Sequence, residues 1–214
     1  MKDLVQRAKR LYDASFIRDD DQAGFVAAFA PGRVNLIGEH TDYNGGFVMP
    51  LALEMGTLVY GKGRLEPVGV TDGVCTLASE LMEEPVTFKA DKSLAPGEPH
   101  WADYVKGVVS EYMPDVPVDK TLVFRAAVVS TVPLGSGLSS SAALEVSVAT
   151  FLEAIIGEKV EKVVKANSRC RGAEHKFVHI PCGIMDQYIS AMGRAGATLL
   201  IDCRSCRATP VLLD

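Results

Sequence analysis

The amino-acid sequence predicts an α+β domain built on a mixed sheet. Two observations carry that expectation. Between residues 25 and 90 the chain is a series of short segments rich in β-branched residues, separated by turn signals. From residue 100 onward, helical patterns alternate with strands. No repeat or low-complexity stretch interrupts the 214 residues, a length that suits one large domain or two small ones.

The first element is a helix over about Lys2–Ser15, in which Leu4, Ala8, Leu11 and Tyr12 share one face. The segment is basic, but it lacks the Ser- and Arg-rich, acid-free composition of a transit peptide, so a packed amphipathic helix is expected. The run Asp19, Asp20, Asp21 then reads as a solvated turn. "FVAAFAPGR" reads as a strand broken by Pro31-Gly32. Further strands are expected at "FVMPLAL", "GTLVYGK", "PVGVTD", "VCTLAS" and "PVTFKA". In "WADYVKGVVSEYM", Trp101, Tyr104, Val105, Val108 and Val109 have helical spacing. Trp101 reads either as a packing residue or as an aromatic that stacks on a base. "LVFRAAVVSTVP" reads as a strand ending at Pro133, and "SAALEVSVATFLEAI" as a helix. A second helix is expected from about Val160 to Phe177 and a third after Pro181. "ATLLIDC" closes as a strand, and "CRATPVLLD" reads as another strand or its approach.

Composition excludes several classes of partner. The net charge is −5 with no basic block, which argues against a nucleic acid or an anionic membrane surface. No apolar run approaches the roughly 18 residues a spanning helix needs. The five cysteines are odd in number and unevenly spaced, unlike a secreted disulfide framework, so a reducing, cytoplasmic setting is expected. His175 and His179 stand four apart but enclose Lys-Phe-Val, without the glutamate of His-Glu-x-x-His. Cys203-x-x-Cys206 has no partner pair, so zinc is not expected at either place.

Three stretches carry chemistry. In "VPLGSGLSSSAALE" a strand runs into Gly135 and Gly137, three serines follow, and a helix begins. Glycines let backbone N–H groups approach an anion, and the helix N-terminus adds free donors and the positive end of its dipole. The alternative is a plain serine N-cap after a glycine turn. The run has neither the Gly-Lys-Ser/Thr of a Walker A loop nor the third glycine of a dinucleotide fingerprint. In "PCGIMDQYISAMG", Asp186 sits near a helix start, as a cap or as the acceptor of a hydroxyl proton. Glu174, in the preceding helix, is a hard oxygen ligand suited to Mg²⁺ if it faces the serine-rich loop. The third stretch, "GRVNLIGEHTDYNGG", gathers Arg33, Glu39, His40, Asp42 and Asn44 between glycines.

With these motifs the chain resembles the galactokinase family of the GHMP small-molecule kinase superfamily. The similarity runs from about Ala27 to Cys203 in the family's order. It implies a GHMP-kinase N-terminal domain (ribosomal protein S5 domain 2-like) spanning residues 1–214, with helices packed on a mixed sheet. It implies ATP, Mg²⁺ and galactose, with transfer of the γ-phosphoryl group to the anomeric hydroxyl. Asp186 and Arg33 match the catalytic pair, with Asp186 either a true base or an electrostatic anchor. Arg33, Glu39, His40, Asp42, Gly183 and Asp186 match the substrate set. Gly135, Gly137, Ser139, Ser140 and Ser141 match the phosphate cradle, and Ser141 and Glu174 the metal ligands.

Two departures stand out. Ser136 occupies a position where the family commonly has glycine. The family's third, glycine-rich motif and a downstream sugar-site tyrosine have no counterpart. The resemblance therefore implies the N-terminal half alone, as a fragment or a truncated isoform, with the absent C-terminal GHMP domain as its expected packing partner. Other readings are a sister kinase for an N-acetylated sugar such as N-acetylgalactosamine, a non-catalytic galactose- and ATP-binding sensor, or an inert truncated product. The unsubstituted "HTDYNGG" loop favours plain galactose.

Overall fold

A computed structural model describes residues 1–16 and 23–213. The Asp19–Asp21 run lies outside the described residues. The elements in chain order are α1 (Lys2–Ser15), β1 (Val26–Asn35), β2 (Phe47–Val48), β3 (Pro50–Pro67), β4 (Val74–Ser79), β5 (Val86–Lys89) and α2 (Trp101–Tyr112). They continue with β6 (Lys120–Ser130) and α3 (Ser140–Ile156). A continuous helix, α4, follows, with α-helical turns at Lys162–Val164 and Arg171–Ala173 and π-helical turns at Lys165–Cys170 and Glu174–Val178. The chain closes with α5 (Met185–Met192), β7 (Ala197–Asp202) and β8 (Arg207–Leu212).

Strand alternation builds two cores on one sheet. The strand order is β1-β3-β6-β4-β5, antiparallel except for the parallel β4–β6 pair, so the sheet is mixed as expected. Successive side chains of a strand point to opposite faces. Along β6, Leu122, Phe124, Ala126 and Val128 face the larger core, shared with Val105 and Val109 of α2 and Val148 and Leu152 of α3. Ala127 and Val129 face the other side, where Leu4, Ala8 and Tyr12 of α1 close a smaller core with Leu58 and Tyr60 of β3. The amphipathic N-terminal helix is thus a packed element. A second sheet, β2-β7-β8, covers Ile184, Tyr188 and Ile189 around the start of α5.

Four sequence expectations are corrected. Pro31-Gly32 does not break β1. The strand runs through it with an irregular register between Pro31 and Arg33, and β1 is an edge strand, where proline is tolerated. "FVMPLAL" and "GTLVYGK" divide differently: Phe47–Val48 joins the second sheet, and residues 50–67 form one long strand. "PVGVTD" is a turn closed by a single bridge between Val68 and Thr71, because Gly69 takes a left-handed conformation there. β6 ends at Ser130, before Pro133.

α3 and α4 are joined through a buried ion pair. Lys165 Nζ lies 2.8 Å from Glu153 Oε2, and Tyr112 Oη donates to Glu153 Oε1 at 2.9 Å. Lys165→Met is expected to destabilise the fold by about 3–5 kcal/mol, because it strands a buried carboxylate. Urea denaturation measures this, and a loss below about 1 kcal/mol, the range of exposed pairs, would show that water reaches Glu153. Among the described residues, no helix is long and apolar enough to cross a membrane.

Candidate active site

The bulge in β1 sets the centre of the site. A Cβ on Gly32 would stand 2.7 Å from the Leu138 carbonyl oxygen, so only glycine lets the two segments approach this closely. The Arg33 N–H donates to that same oxygen at 3.0 Å. The Arg33 guanidinium then reaches across the fold. Nε and Nη2 donate to Asp186 Oδ1 and Oδ2, each at 2.7 Å, and Nη1 donates to the Gly137 carbonyl at 2.6 Å. This is the bidentate geometry for which a guanidinium is suited. Asp186 is the second residue of α5 and also accepts from the Ser139 hydroxyl. The start of α5 carries no side-chain cap bond, so the capping alternative does not describe Asp186.

One side of this pair opens on a cavity of about 330 Å³. Arg33, Glu39, His40, Asp42, Gly183 and Asp186 all line it, so the six residues expected at the substrate come together. The loop carrying three of them is internally braced. The Thr41 hydroxyl lies between the Gly38 and Phe47 carbonyl oxygens, at 2.8 and 2.7 Å. The Asn44 amide donates to the His40 carbonyl at 2.8 Å, and His40 Nδ1 lies 2.5 Å from Tyr43 Oη. Gly183 is required by contact: a Cβ there would stand 1.8 Å from Asp42 Oδ2. Sequence reasoning missed Asn35, Tyr43 and Cys182 in the lining. Asn35 donates to Glu39 Oε1 at 3.2 Å and lies in the same quoted motif, which was the available signal. Burial pushes the Cys182 thiol up, so it stays protonated at the cavity wall.

The other side of the pair is the glycine loop. Gly135, Gly137 and Ser139 all have positive φ, at 69°, 73° and 57°. Nothing lies within 4 Å of where a Cβ on Gly135 or Gly137 would be, so this backbone borders open space. Ser139 stands at the N-cap position of α3 but makes no cap bond, since its hydroxyl is spent on Asp186. The first-turn N–H groups of a 17-residue helix are therefore not capped by that serine. Ser140 and Ser141 line a second cavity of about 230 Å³, with Leu81, Met82, Trp101, Tyr104, Leu134 and Leu144. Trp101 thus borders an apolar pocket next to the loop, and its indole N–H has no hydrogen-bond partner. Glu80, on the same wall, is held by Arg7 of α1 at 2.6 Å.

Glu174 is buried and is not part of the lining of either cavity. Gln187 Nε2 donates to Glu174 Oε2 at 2.6 Å and to Glu145 Oε2 at 3.0 Å. Desolvation, and then the neighbouring Glu174, hold the Glu145 carboxyl well above the usual carboxylate range. Tyr104, which lines the second cavity, lies within electrostatic reach of Glu174. No group of three or more His, Cys, Asp or Glu side chains converges as a metal centre among the described residues. His175 Nε2 pairs with the Cys182 carbonyl at 3.0 Å, and Cys203 and Cys206 flank the β7–β8 turn.

Comparison with known proteins matches this arrangement. The galactose-binding signature of galactokinases covers residues 12–62, and the N-terminal domain of GHMP kinases covers residues 103–194. Human galactokinase is 46% identical over 219 residues, taking in 99% of this chain and 52% of the relative. A galactokinase of Haemophilus influenzae is 39% identical over 209 residues, covering 96% of this chain and 50% of the relative. Among solved structures, Lactococcus lactis galactokinase complexed with galactose superposes with a TM-score of 0.83 at 29% identity, over 96% of this chain and 52% of that one. A mevalonate kinase shares the fold with a TM-score of 0.70 at 14% identity, over 87% of this chain and 56% of that one. The chain spans about half the length of the galactokinases it matches. By sequence and by fold it is similar to the galactokinases of the GHMP kinase superfamily, aligned with the N-terminal half of those relatives.

Proposed function

We propose that the chain supplies the sugar site, phosphate loop and acceptor carboxylate of a galactokinase, which transfers the γ-phosphoryl group of ATP to the anomeric hydroxyl of galactose. The observation that carries this reading is the Arg33–Asp186 pair. It opens on one side to a cavity lined by the galactose-signature residues and touches the glycine loop on the other. The anomeric oxygen attacks the γ-phosphorus as its proton passes to an Asp186 oxygen, and ADP leaves. Arg33 holds that carboxylate in place and faces the charge that develops between sugar and phosphate. Glu39, His40 and Asp42 offer acceptors and donors for the ring hydroxyls. Gly135, Gly137 and the first turn of α3 offer N–H groups to the phosphates. The apolar pocket at Trp101 suits a nucleobase.

Glu174 and the Ser141 hydroxyl are hard oxygen donors of the kind Mg²⁺ takes together with substrate phosphates, so the donor set fits that ion. When bound, Mg²⁺ would neutralise charge on the transferring phosphate.

The reading is tested by incubating the whole protein with MgATP and either galactose or N-acetylgalactosamine, then identifying the product. Galactose 1-phosphate is the expected product. Phosphorylation of the N-acetylated sugar alone, or ATP binding without transfer, would overturn it. Gly183→Ala is expected to raise KM for galactose at least about 10-fold with KM for ATP little changed, since the new methyl displaces the Asp42 carboxylate and leaves sugar hydroxyls unpaired. Equal effects on both substrates would point to a wider distortion.

A further inference from the structure

Asp186 and Gln187 are consecutive residues at the start of α5, separated by about 100° around the helix. Asp186 turns to Arg33 and the sugar cavity. Gln187 turns inward, where it is fully buried among carboxylates. Its amide nitrogen has two hydrogens, and each meets a different carboxylate: Glu174 Oε2 at 2.6 Å and Glu145 Oε2 at 3.0 Å. Gln187 Oε1 has no partner. The amide nitrogen faces both carboxyl groups because each presents an accepting oxygen to it, whether or not Glu145 carries a proton on its other oxygen. Glu145 lies on α3, whose N-terminus ends the glycine loop, and Glu174 lies in the last π-helical turn of α4. One side chain therefore ties the phosphate-loop helix, the carboxylate beside it and the helix that carries Asp186.

We infer that Gln187 is a positioning residue that fixes the Glu174 carboxylate for its part in holding the metal-bound nucleotide. The inference rests on the galactokinase reading above and adds a residue to it. A carboxylate buried beside a second carboxylate, without a donor between them, would turn away from its neighbour. Gln187 prevents that by donating to both.

The test uses the whole protein and reads ATP binding by calorimetry across a Mg²⁺ series, alongside KM for galactose. Gln187→Leu keeps the volume and removes both donors. The Mg²⁺ concentration that gives half of the metal-dependent gain in ATP affinity is expected to rise about 10–100-fold, the usual effect of losing an outer partner of a metal ligand. ATP affinity without Mg²⁺, and KM for galactose, should stay within about twofold of wild type, which a merely structural defect would not spare. Should Gln187→Leu fail to fold, the double variant Gln187→Leu/Glu145→Leu removes one buried carboxylate together with its donor, an exchange that is often nearly neutral. It still leaves Glu174 without its hydrogen bond, and the same Mg²⁺ shift is expected. An unchanged Mg²⁺ dependence in either folded variant, with the wild type active on galactose, overturns the inference alone. A wild-type protein whose ATP binding ignores Mg²⁺ overturns it together with the reading on which it rests.

Discussion

Asp186→Ala is expected to lower kcat for galactose phosphorylation by about 10²–10⁴-fold, the range in which a positioned proton acceptor contributes. ATP binding should remain nearly intact, because Asp186 lies on the sugar side of Arg33 and lines no part of the pocket at Trp101. The loss belongs in kcat, since the carboxylate's contact with the attacking hydroxyl strengthens only as the proton moves. A thermal melt controls for the unpaired Arg33 that the variant leaves behind. Retention of more than a tenth of wild-type kcat, a cost under about 1.4 kcal/mol, would remove Asp186 from the proposed role.

How much of this was legible before the structure depends on the range of each signal. The face of Leu4, Ala8 and Tyr12 on α1 was readable because helical periodicity is local, and all three are buried. Trp101 carried two readings in the sequence, and the structure leaves room for both: it packs against the larger core and also borders the cavity beside Ser140 and Ser141. Pro31-Gly32 looked like a strand break because a propensity reading sees only one segment. Pairing with β3 on both sides of the irregularity holds the strand together. The Arg33–Asp186 contact spans 153 residues and has no local signature, so only the family resemblance pointed to it. Ser139 was read as part of the phosphate cradle from its place after the glycines, yet its hydroxyl is committed to Asp186. Gln187 gave no signal, because a glutamine within a helix start is ordinary until two buried carboxylates converge on it.

Arg33 is the residue whose loss should be felt on both sides of the reaction. Its three donors bind two atoms of Asp186 and the Gly137 carbonyl, so one side chain joins the acceptor carboxylate to the loop that borders the phosphates. Arg33→Ala is expected to lower kcat/KM for galactose by about 10²–10³-fold or more, the effect of removing one preorganised charge-stabilising donor. Arg33→Lys should recover only part of this. An ammonium reaches Asp186 as a point charge but cannot hold both oxygens and Gly137 in one plane. The decisive measurement is the double variant. If Arg33 and Asp186 act as a unit, Arg33→Ala/Asp186→Ala will lose little more than the worse single variant, because the second deletion removes a partner already without function. Multiplying losses would mean that the two groups act independently. Full activity in Arg33→Lys would show that charge alone suffices. In either case the bidentate contact would be a structural tie between β1 and α5 rather than part of a single catalytic unit.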